Sequence, residues 1–208
     1  MAQAYAVVYD TSKNFFIAVK NEVAFFFHTD NNGNGVIYPP DGTPIKNGPG
    51  EPALPGGGVA GKADPAIGAA NEFQEETGVE LREFDLELKP KEWHEKTNKY
   101  EYYGVYYRFS RAVFNDVSRK AIANINTGAQ AAAAIGNGRI RTYRDIFKTY
   151  PNCPKDNELA AGLIWNLDRD WSRIQALNNS TSTNWFYIIL KNLKENFDKA
   201  DFPAVTGE

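Results

Sequence analysis

The sequence is poor in the residues that build several common kinds of site. Its one cysteine, Cys153, excludes an intrachain disulfide and a thiolate zinc cluster, so we expect this residue to be structural or without a role. The two histidines, His28 and His94, lie in no nucleophile motif, which argues against a Ser-His-Asp or Cys-His hydrolase. No Gly-Lys-Ser/Thr follows a glycine loop, so a phosphate-binding P-loop is not indicated either.

Charge and hydropathy argue against two further classes of partner. The 208 residues carry a formal net charge of -3 with both signs mixed, which provides no basic field for nucleic acid and no polybasic membrane anchor. No apolar stretch is long enough to cross a bilayer, and the first residues lead into a predicted strand rather than a signal peptide. We therefore expect a cytoplasmic protein that binds neither nucleic acid nor membrane.

The most informative segment, residues 54–79, joins a glycine-rich loop to a short helix. Asp64 is a suitable N-cap and Pro65 suits the first helical turn. Gly78 suits the left-handed position that follows a last turn. The sequence therefore predicts a helix over 65–77.

Three glutamates of this helix, Glu72, Glu75 and Glu76, stand at positions i, i+3 and i+4 and so share one face. Each like-charged pair costs an isolated helix about 0.2–0.5 kcal/mol, and the helix dipole disfavours negative charge in the last turn. The cluster therefore calls for a cation, and carboxylates are the hard ligands that Mg²⁺ or Mn²⁺ prefers. A solvated acidic face is the alternative, but the glycines Gly56–Gly58 allow close approach of a ligand and favour a site.

The segment resembles the Nudix box, the family signature G-x5-E-x7-R-E-U-x-E-E-x-G-U, in which U is a bulky apolar residue. The positions that match in register are Gly57, Glu72, Phe73, Glu75, Glu76, Gly78 and Val79. Two positions depart. Ala63 replaces the first glutamate, with Asp64 one place later, and Asn71 replaces the arginine that in the family orients a metal-binding glutamate. We expect these departures to affect activity rather than fold.

The resemblance implies an α/β/α sandwich with a central mixed sheet. It also implies metal-dependent hydrolysis of a phosphoanhydride bond in a nucleoside diphosphate linked to another moiety, and it allows a homodimer. The groups implied to bind Mg²⁺ or Mn²⁺ are the Gly57 carbonyl, Glu72, Glu75 and Glu76. Glu72 and Glu75 are the candidate catalytic residues, with Glu72 the best candidate base. Glu158 and Glu101 are the alternatives for that base.

Two other functions stay open at this stage. Asn71 and Ala63 favour a degenerate domain that binds a nucleotide as a sensor or scaffold, whereas the retention of all three carboxylates opposes it. A weaker alternative is an interaction domain whose metal site is only structural. Metal-dependent affinity without turnover would select the first, and absence of both would select the second.

Hydrophobic patterns predict the elements around the box. The segments with strand patterns are 4–10, 15–19, 84–88 and 100–109. Residues 157–159 and 164–165 resemble the acidic loop and final strand of the family, and 183–198 has helical spacing. Five aromatic residues near the fourth strand are candidates for stacking on a nucleobase, although alternate strand residues must face the core: Trp93, Tyr102, Tyr103, Tyr106 and Tyr107.

We predict a single domain over 1–208 with two insertions and a C-terminal helix. The insertion at 28–53 carries acidic and amide residues over 30–41 at the spacing of a calcium loop, but its flanks are not helical and favour a Gly/Asn turn. The insertion at 111–150 includes an alanine-rich helical stretch over 129–135. The arginines that follow it, Arg139, Arg141 and Arg144, either bind a substrate phosphate or form a solvated basic edge.

Overall fold

The computed structural model describes residues 2–29, 32–46, 48–59, 64–96 and 100–199. Within these ranges the strands are β1 Gln3–Asp10, β2 Asn14–Lys20, β3 Val23–Ala24, β4 Phe26–His28, β5 Gly35–Ile37, β6 Thr43–Pro44, β7 Pro52–Ala53, β8 Gly56–Gly58, β9 Lys91–Lys96, β10 Glu101–Phe109 and β11 Leu159–Asn166. The helices are α1 Pro65–Thr77, α2 Arg111–Gly136, α3 Tyr143–Thr149, α4 Trp171–Ala176 and α5 Asn184–Asn196. Two short 3-10 helices, Leu81–Glu83 and Leu177–Asn179, follow α1 and α4.

A seven-stranded mixed sheet lies at the centre of the described structure. Its main order is β11-β2-β1-β10-β9, and the short strands β7 and β8 pair with β2 and β1. β1 runs parallel to β10, with Gln3 opposite Tyr102 and Asp10 opposite Phe109. The other strand pairs of this sheet are antiparallel.

Helices cover both faces of this sheet. Because successive strand residues point to opposite faces, β1 is buried on both sides. On one face Ala6 and its neighbours pack with Phe73 of α1 and Phe114 of α2. On the other face Val7 and its neighbours pack with Ile174 of α4 and Ile189 of α5. The predicted α/β/α sandwich with a central mixed sheet is confirmed.

The elements with strong local signals form as the sequence predicts. β1 and β2 occupy the first two apolar runs, β11 follows the acidic loop, and α5 lies within the predicted C-terminal helix. α1 begins at Pro65, where Asp64 Oδ1 accepts a hydrogen bond from the Ala66 N–H at 2.8 Å. It ends at Thr77, where Gly78 adopts the left-handed conformation with φ of 69°.

One strand prediction is wrong. Residues 84–88 form no strand and contribute only an isolated bridge between Leu86 and Phe109. The edge position beside β10 is occupied instead by β9, in which only Trp93 is buried. A polar edge strand with one buried side chain shows little hydrophobic periodicity in its sequence. Its position in the sheet depends instead on pairing with β10.

The helical stretch predicted over 129–135 is confirmed, and it forms the last part of a longer helix, α2, in the segment 111–150. α2 extends over 26 residues and is capped at its start by Ser110 Oγ, which accepts from the Val113 N–H at 3.3 Å. Its residues Phe114, Val117 and Ala121 recur at helical spacing and pack on the sheet beside α1. Neither α2 nor any other helix within the described ranges is long and apolar enough to cross a membrane.

A smaller core packs the β4–β5 hairpin against α3 and the end of α2. It includes Phe26, Ile135, Tyr143 and Cys153. Burial raises the pKa of the Cys153 thiol to about 12, so this side chain packs as a small apolar group. At the hairpin turn the Thr29 N–H donates to the Asn34 carbonyl at 2.9 Å, while Asp30 of the calcium-like spacing lies outside the described residues.

We expect two glycine substitutions to change stability in opposite directions. A Cβ at Gly104 of β10 would lie 2.7 Å from Cγ2 of the fully buried Ile189, so Gly104→Ala should lower the unfolding free energy by about 1–3 kcal/mol. A Cβ at Gly128 of α2 would meet Pro154 at an ordinary 3.4 Å, so Gly128→Ala should raise it by up to about 1 kcal/mol. Urea unfolding measures both, and shifts of the same sign would contradict this packing.

Candidate active site

A cavity of about 370 Å³ lies where the glycine-rich strand β8 meets α1 and the beginning of α5. Segments that are far apart in the sequence contribute its lining. Its charged lining residues are Lys20, Lys46, Glu72, Glu76 and Glu158. The box thus shares one cavity with the end of β2 and with the acidic loop before β11.

The glycine loop packs directly on the Glu72 carboxylate. β8 pairs with β1, with Gly57 opposite Ala4, so the loop lies flat along the sheet. A Cβ on Gly57 would lie 2.4 Å from Glu72 Oε2 and 2.7 Å from its Cδ. Any residue with a side chain would therefore displace the carboxylate, which gives this glycine a specific role in the site.

Glu76 is the most deeply buried carboxylate of the site, with 3% of its surface exposed. Its Oε2 accepts a hydrogen bond from the Gly56 N–H at 3.0 Å. Burial raises its pKa well above the ordinary value, and the charges of Glu158 and Glu72 raise it further, while Lys20 opposes the shift. This part of the site therefore holds more negative charge than its neighbours neutralise.

The pKa values of two further carboxyls in the cavity, Glu72 and Glu158, are also raised. Burial raises the pKa of Glu72 to about 7, with contributions from the charges of Glu75 and Glu158. Burial also raises the pKa of Glu158, against the opposing charge of Lys20. A carboxyl with a pKa near 7 is suited to accept or release a proton at neutral pH.

Glu75 lies beside a second set of residues rather than in the lining of the cavity. Its carbonyl accepts a hydrogen bond from the Asp156 N–H at 3.0 Å, and its Oε1 lies 3.6 Å from Nδ1 of His28. The His28 main-chain N–H donates in turn to the Asp156 carboxylate. Burial raises the pKa of Asp156 to about 8, although this hydrogen bond opposes the shift.

Two positions depart from the box, Asn71 and Ala63, and Asp64 follows the second of them. Asn71 Oδ1 accepts from Arg82 Nη2 at 3.1 Å, and the Arg82 guanidinium also binds Glu80 through two hydrogen bonds of 2.7 and 2.8 Å. Asp64 caps α1, so its carboxylate is committed to the helix start, while Ala63 lies outside the described residues. Among the described residues, no arginine pairs with Glu72 or Glu75.

Other candidate residues separate into those near the cavity and those far from it. Glu158 lines the cavity, whereas Glu101 of β10 pairs with His94 at 3.0 Å and Lys96 at 3.5 Å, both on the neighbouring strand β9. This placement favours Glu158 over Glu101 as the alternative base. The arginines that follow α2 are exposed and contribute nothing to the lining of this cavity: Arg139, Arg141 and Arg144.

The aromatic wall of the cavity is not the one suggested by the tyrosine-rich strand. Four of the five candidates are buried in the core, and Tyr103 stacks on His94: the buried four are Trp93, Tyr102, Tyr106 and Tyr107. The aromatic side chains that line the cavity are Tyr5, Phe27, Trp185 and Phe186. The rings of Tyr5 and Trp185 are nearly parallel, with centroids 6.4 Å apart.

Among the site residues that sequence reasoning missed are Lys20, His28 and Asp156. Lys20 reaches it because β2 pairs with β11, which places Lys20 opposite Leu159 and next to Glu158. His28 and Asp156 meet through a hydrogen bond between residues 128 positions apart. An acidic loop before the last strand is a sequence signal for Asp156, whereas the other two have none.

The donor chemistry of the site fits a divalent cation. In the described part of the chain, no three His, Cys, Asp or Glu side chains are arranged to hold a metal ion as they stand. The carboxylates Glu72, Glu76 and Glu158 nevertheless share one cavity, and the charge of Glu158 raises the pKa of both Glu72 and Glu76, an effect that a cation would oppose. All are hard oxygen donors of the kind that Mg²⁺ and Mn²⁺ prefer.

Comparisons with known proteins find distant structural likenesses. No protein-family model and no curated protein matches the chain. The MutT protein from Methanosarcina mazei Go1 is similar with a TM-score of 0.41 and 10% identity, over 96% of each chain. A mutT/nudix family protein from Listeria innocua is similar with a TM-score of 0.42 and 12% identity, over 94% of this chain and 95% of that one. These likenesses are too distant to bear on function, which depends on the residues of the cavity.

Proposed function

We propose that the protein is a Nudix-type hydrolase that cleaves a phosphoanhydride bond in a nucleoside diphosphate linked to another moiety. One observation carries the proposal: the box carboxylates Glu72 and Glu76 share a cavity with Glu158, and the glycine loop packs directly on Glu72. Burial raises the pKa values of these three carboxyls, and the charge of Glu158 raises those of Glu72 and Glu76 further. Perturbed carboxyls that share a cleft are candidates for a functional site.

The box residues proposed to hold Mg²⁺ or Mn²⁺ are the Gly57 carbonyl, Glu72, Glu75 and Glu76. Of these, Glu75 lies beside the cavity rather than in its lining, whereas Glu158 lies in the lining. When bound, such an ion neutralises diphosphate charge and lowers the pKa of an attacking water. Glu72, whose carboxylate lines the cavity against the glycine loop, would accept the proton of that water. Glu158 is the second candidate for the same role.

The rest of the cavity suits the remainder of a nucleotide. Lys20 and Lys46 lie in the lining and attract the negative charge of a diphosphate. Trp185 and Phe27 offer aromatic surface on which a base can stack. The cavity thus combines a polar end for the diphosphate with an aromatic wall for the nucleoside.

A second candidate function is nucleotide binding without turnover. It is favoured by Asn71, whose amide contacts Arg82 instead of orienting a carboxylate of the site. It is also favoured by Lys20, which already supplies one positive charge beside Glu76 and Glu158. Such a domain would act as a sensor or scaffold for the same class of ligand.

Phosphate release from a panel of nucleoside diphosphate derivatives, coupled to a phosphatase, tests the proposal. We expect turnover that requires Mg²⁺ or Mn²⁺, is lost in Glu75→Gln, and is retained in Glu83→Gln, in which an exposed carboxylate outside the cavity is replaced. Calorimetric titration of the same compounds into wild type measures binding separately. Binding without turnover on any compound would reject the hydrolase and select the sensor or scaffold.

A further inference from the structure

Glu75 has one side-chain partner among the described residues, and that partner lies outside the box. His28, the last residue of β4, places Nδ1 at 3.6 Å from Glu75 Oε1, within ion-pair range but beyond a hydrogen bond. Arg82, which follows α1, donates hydrogen bonds to Asn71 and Glu80 instead. We infer that His28 is a positioning residue for Glu75: the imidazole, through Nδ1, restricts the orientation of the Glu75 carboxylate. This inference rests on the proposed function.

The main chain fixes the imidazole beside Glu75. The His28 N–H donates to the Asp156 carboxylate, and the Asp156 N–H donates to the Glu75 carbonyl at 3.0 Å. These two hydrogen bonds join β4 to the loop before β11, and that loop to α1. Because both use main-chain N–H groups, they persist when the side chain of His28 is changed, so the role of the ring can be tested separately.

The unpaired second nitrogen of the ring argues against a merely structural histidine. The His28 side chain is only 7% exposed, and its Nε2 is buried without a hydrogen-bond partner in the described structure. An unsatisfied buried polar group costs about 1–3 kcal/mol, so an apolar side chain of similar size would pack here at lower cost. The contact that distinguishes histidine from such a side chain is the one between Nδ1 and Glu75.

The two ring nitrogens of His28 differ in their relation to the Glu75 carboxylate. Nδ1 is the ring nitrogen that faces Glu75, and an ionised carboxylate can only accept a hydrogen bond from it. Asparagine can present an N–H near the position of Nδ1, whereas glutamine reaches toward the position of Nε2 and leucine offers no donor. The three substitutions therefore separate positioning by Nδ1 from simple filling of space.

Calorimetric titration with Mn²⁺ alone tests this inference without a substrate. We expect His28→Leu and His28→Gln to weaken Mn²⁺ binding about tenfold, which is typical when a group that orients a metal ligand is lost. His28→Asn should stay within about threefold of wild type. If His28 only fills space, Asn should be the worst of the three because it leaves a void, and that order would overturn the inference.

A double-mutant cycle and a stability measurement complete the test. In a Glu75→Gln background, His28→Leu should have no further effect on Mn²⁺ binding, because the partner is already gone. Thermal unfolding establishes whether each variant is folded. If His28→Leu is not folded, the comparison uses His28→Asn. Equal Mn²⁺ affinity in all His28 variants, with wild type binding Mn²⁺ and hydrolysing substrate, overturns this inference alone. A wild type that neither binds Mn²⁺ nor turns over substrate overturns the proposed function as well.

Discussion

Glu76→Gln is expected to abolish metal-dependent hydrolysis and, in the same molecule, to stabilise the metal-free protein. The activity should fall because one carboxylate of the proposed metal site becomes a neutral amide. Charge stabilisation by a metal is worth several kcal/mol, so the loss of turnover should be roughly 1000-fold. The phosphatase-coupled assay at saturating Mg²⁺ measures this loss.

The gain in stability follows from the burial of Glu76. Its carboxyl is 3% exposed, and burial together with the charges of Glu158 and Glu72 makes ionisation unfavourable. Glutamine keeps an oxygen that can accept the Gly56 N–H and removes the charge. We expect the unfolding free energy of the metal-free protein at pH 8 to rise by about 1–3 kcal/mol, as measured by urea unfolding. Glu83→Gln, at an exposed position, should change neither property.

An equally stable or less stable Glu76→Gln protein would show that Lys20 already neutralises this carboxylate. Retained turnover in that variant would remove Glu76 from the proposed metal site. The two readouts are independent, because the first is taken without metal and the second with it. Their combination therefore distinguishes a site built for a cation from a self-neutralised cluster.

The metal-free protein is expected to lose stability steadily as the pH rises from about 5 to 8. Burial raises the folded-state pKa of Glu72 to about 7 and that of Asp156 to about 8, whereas unfolded carboxyls titrate near 4 to 4.5. Between these values the folded state binds more protons than the unfolded state, so the unfolding free energy falls with rising pH. Each such carboxyl contributes a slope of about 1.4 kcal/mol per pH unit.

Mg²⁺ should recover this loss, because an ion that binds only the folded state stabilises it. Thermal unfolding at pH 5, 6.5 and 8, with and without Mg²⁺, measures both effects. Asp156→Asn is the matched control, since its amide oxygen can still accept the His28 N–H while its charge is gone. It should flatten the upper part of the pH profile. A flat profile in wild type would contradict the raised pKa values.

The part of the site that sequence reasoning predicts is the part determined by local chemistry. Asp64 and Gly78 define the ends of α1 through cap interactions within a few residues. The spacing of Glu72, Glu75 and Glu76 then follows from helix geometry alone. β1 and β2 were predicted for a similar reason, because their apolar runs are continuous and flanked by a polar turn.

The remainder depends on pairing between distant segments, which local patterns do not encode. Lys20 enters the site through the register of β2 with β11, and His28 enters through a short hairpin that packs on α3. β9 was missed for the same reason, since its polar sequence is held in place by β10. Asn71 illustrates the limit differently: its partner Arg82 lies eleven residues away, beyond the end of α1.

The parallel pairing of β1 with β10 has a consequence for synthesis of the chain. β1 lies between β2 and β10 at the centre of the sheet, yet its parallel partner ends at Phe109. A ribosome that adds about 5–20 residues per second needs roughly 5–20 s to make the intervening chain. During that interval one hydrogen-bonding edge of an apolar strand has no native partner from β10. The nascent protein is therefore expected to depend on chaperones until the tenth strand emerges.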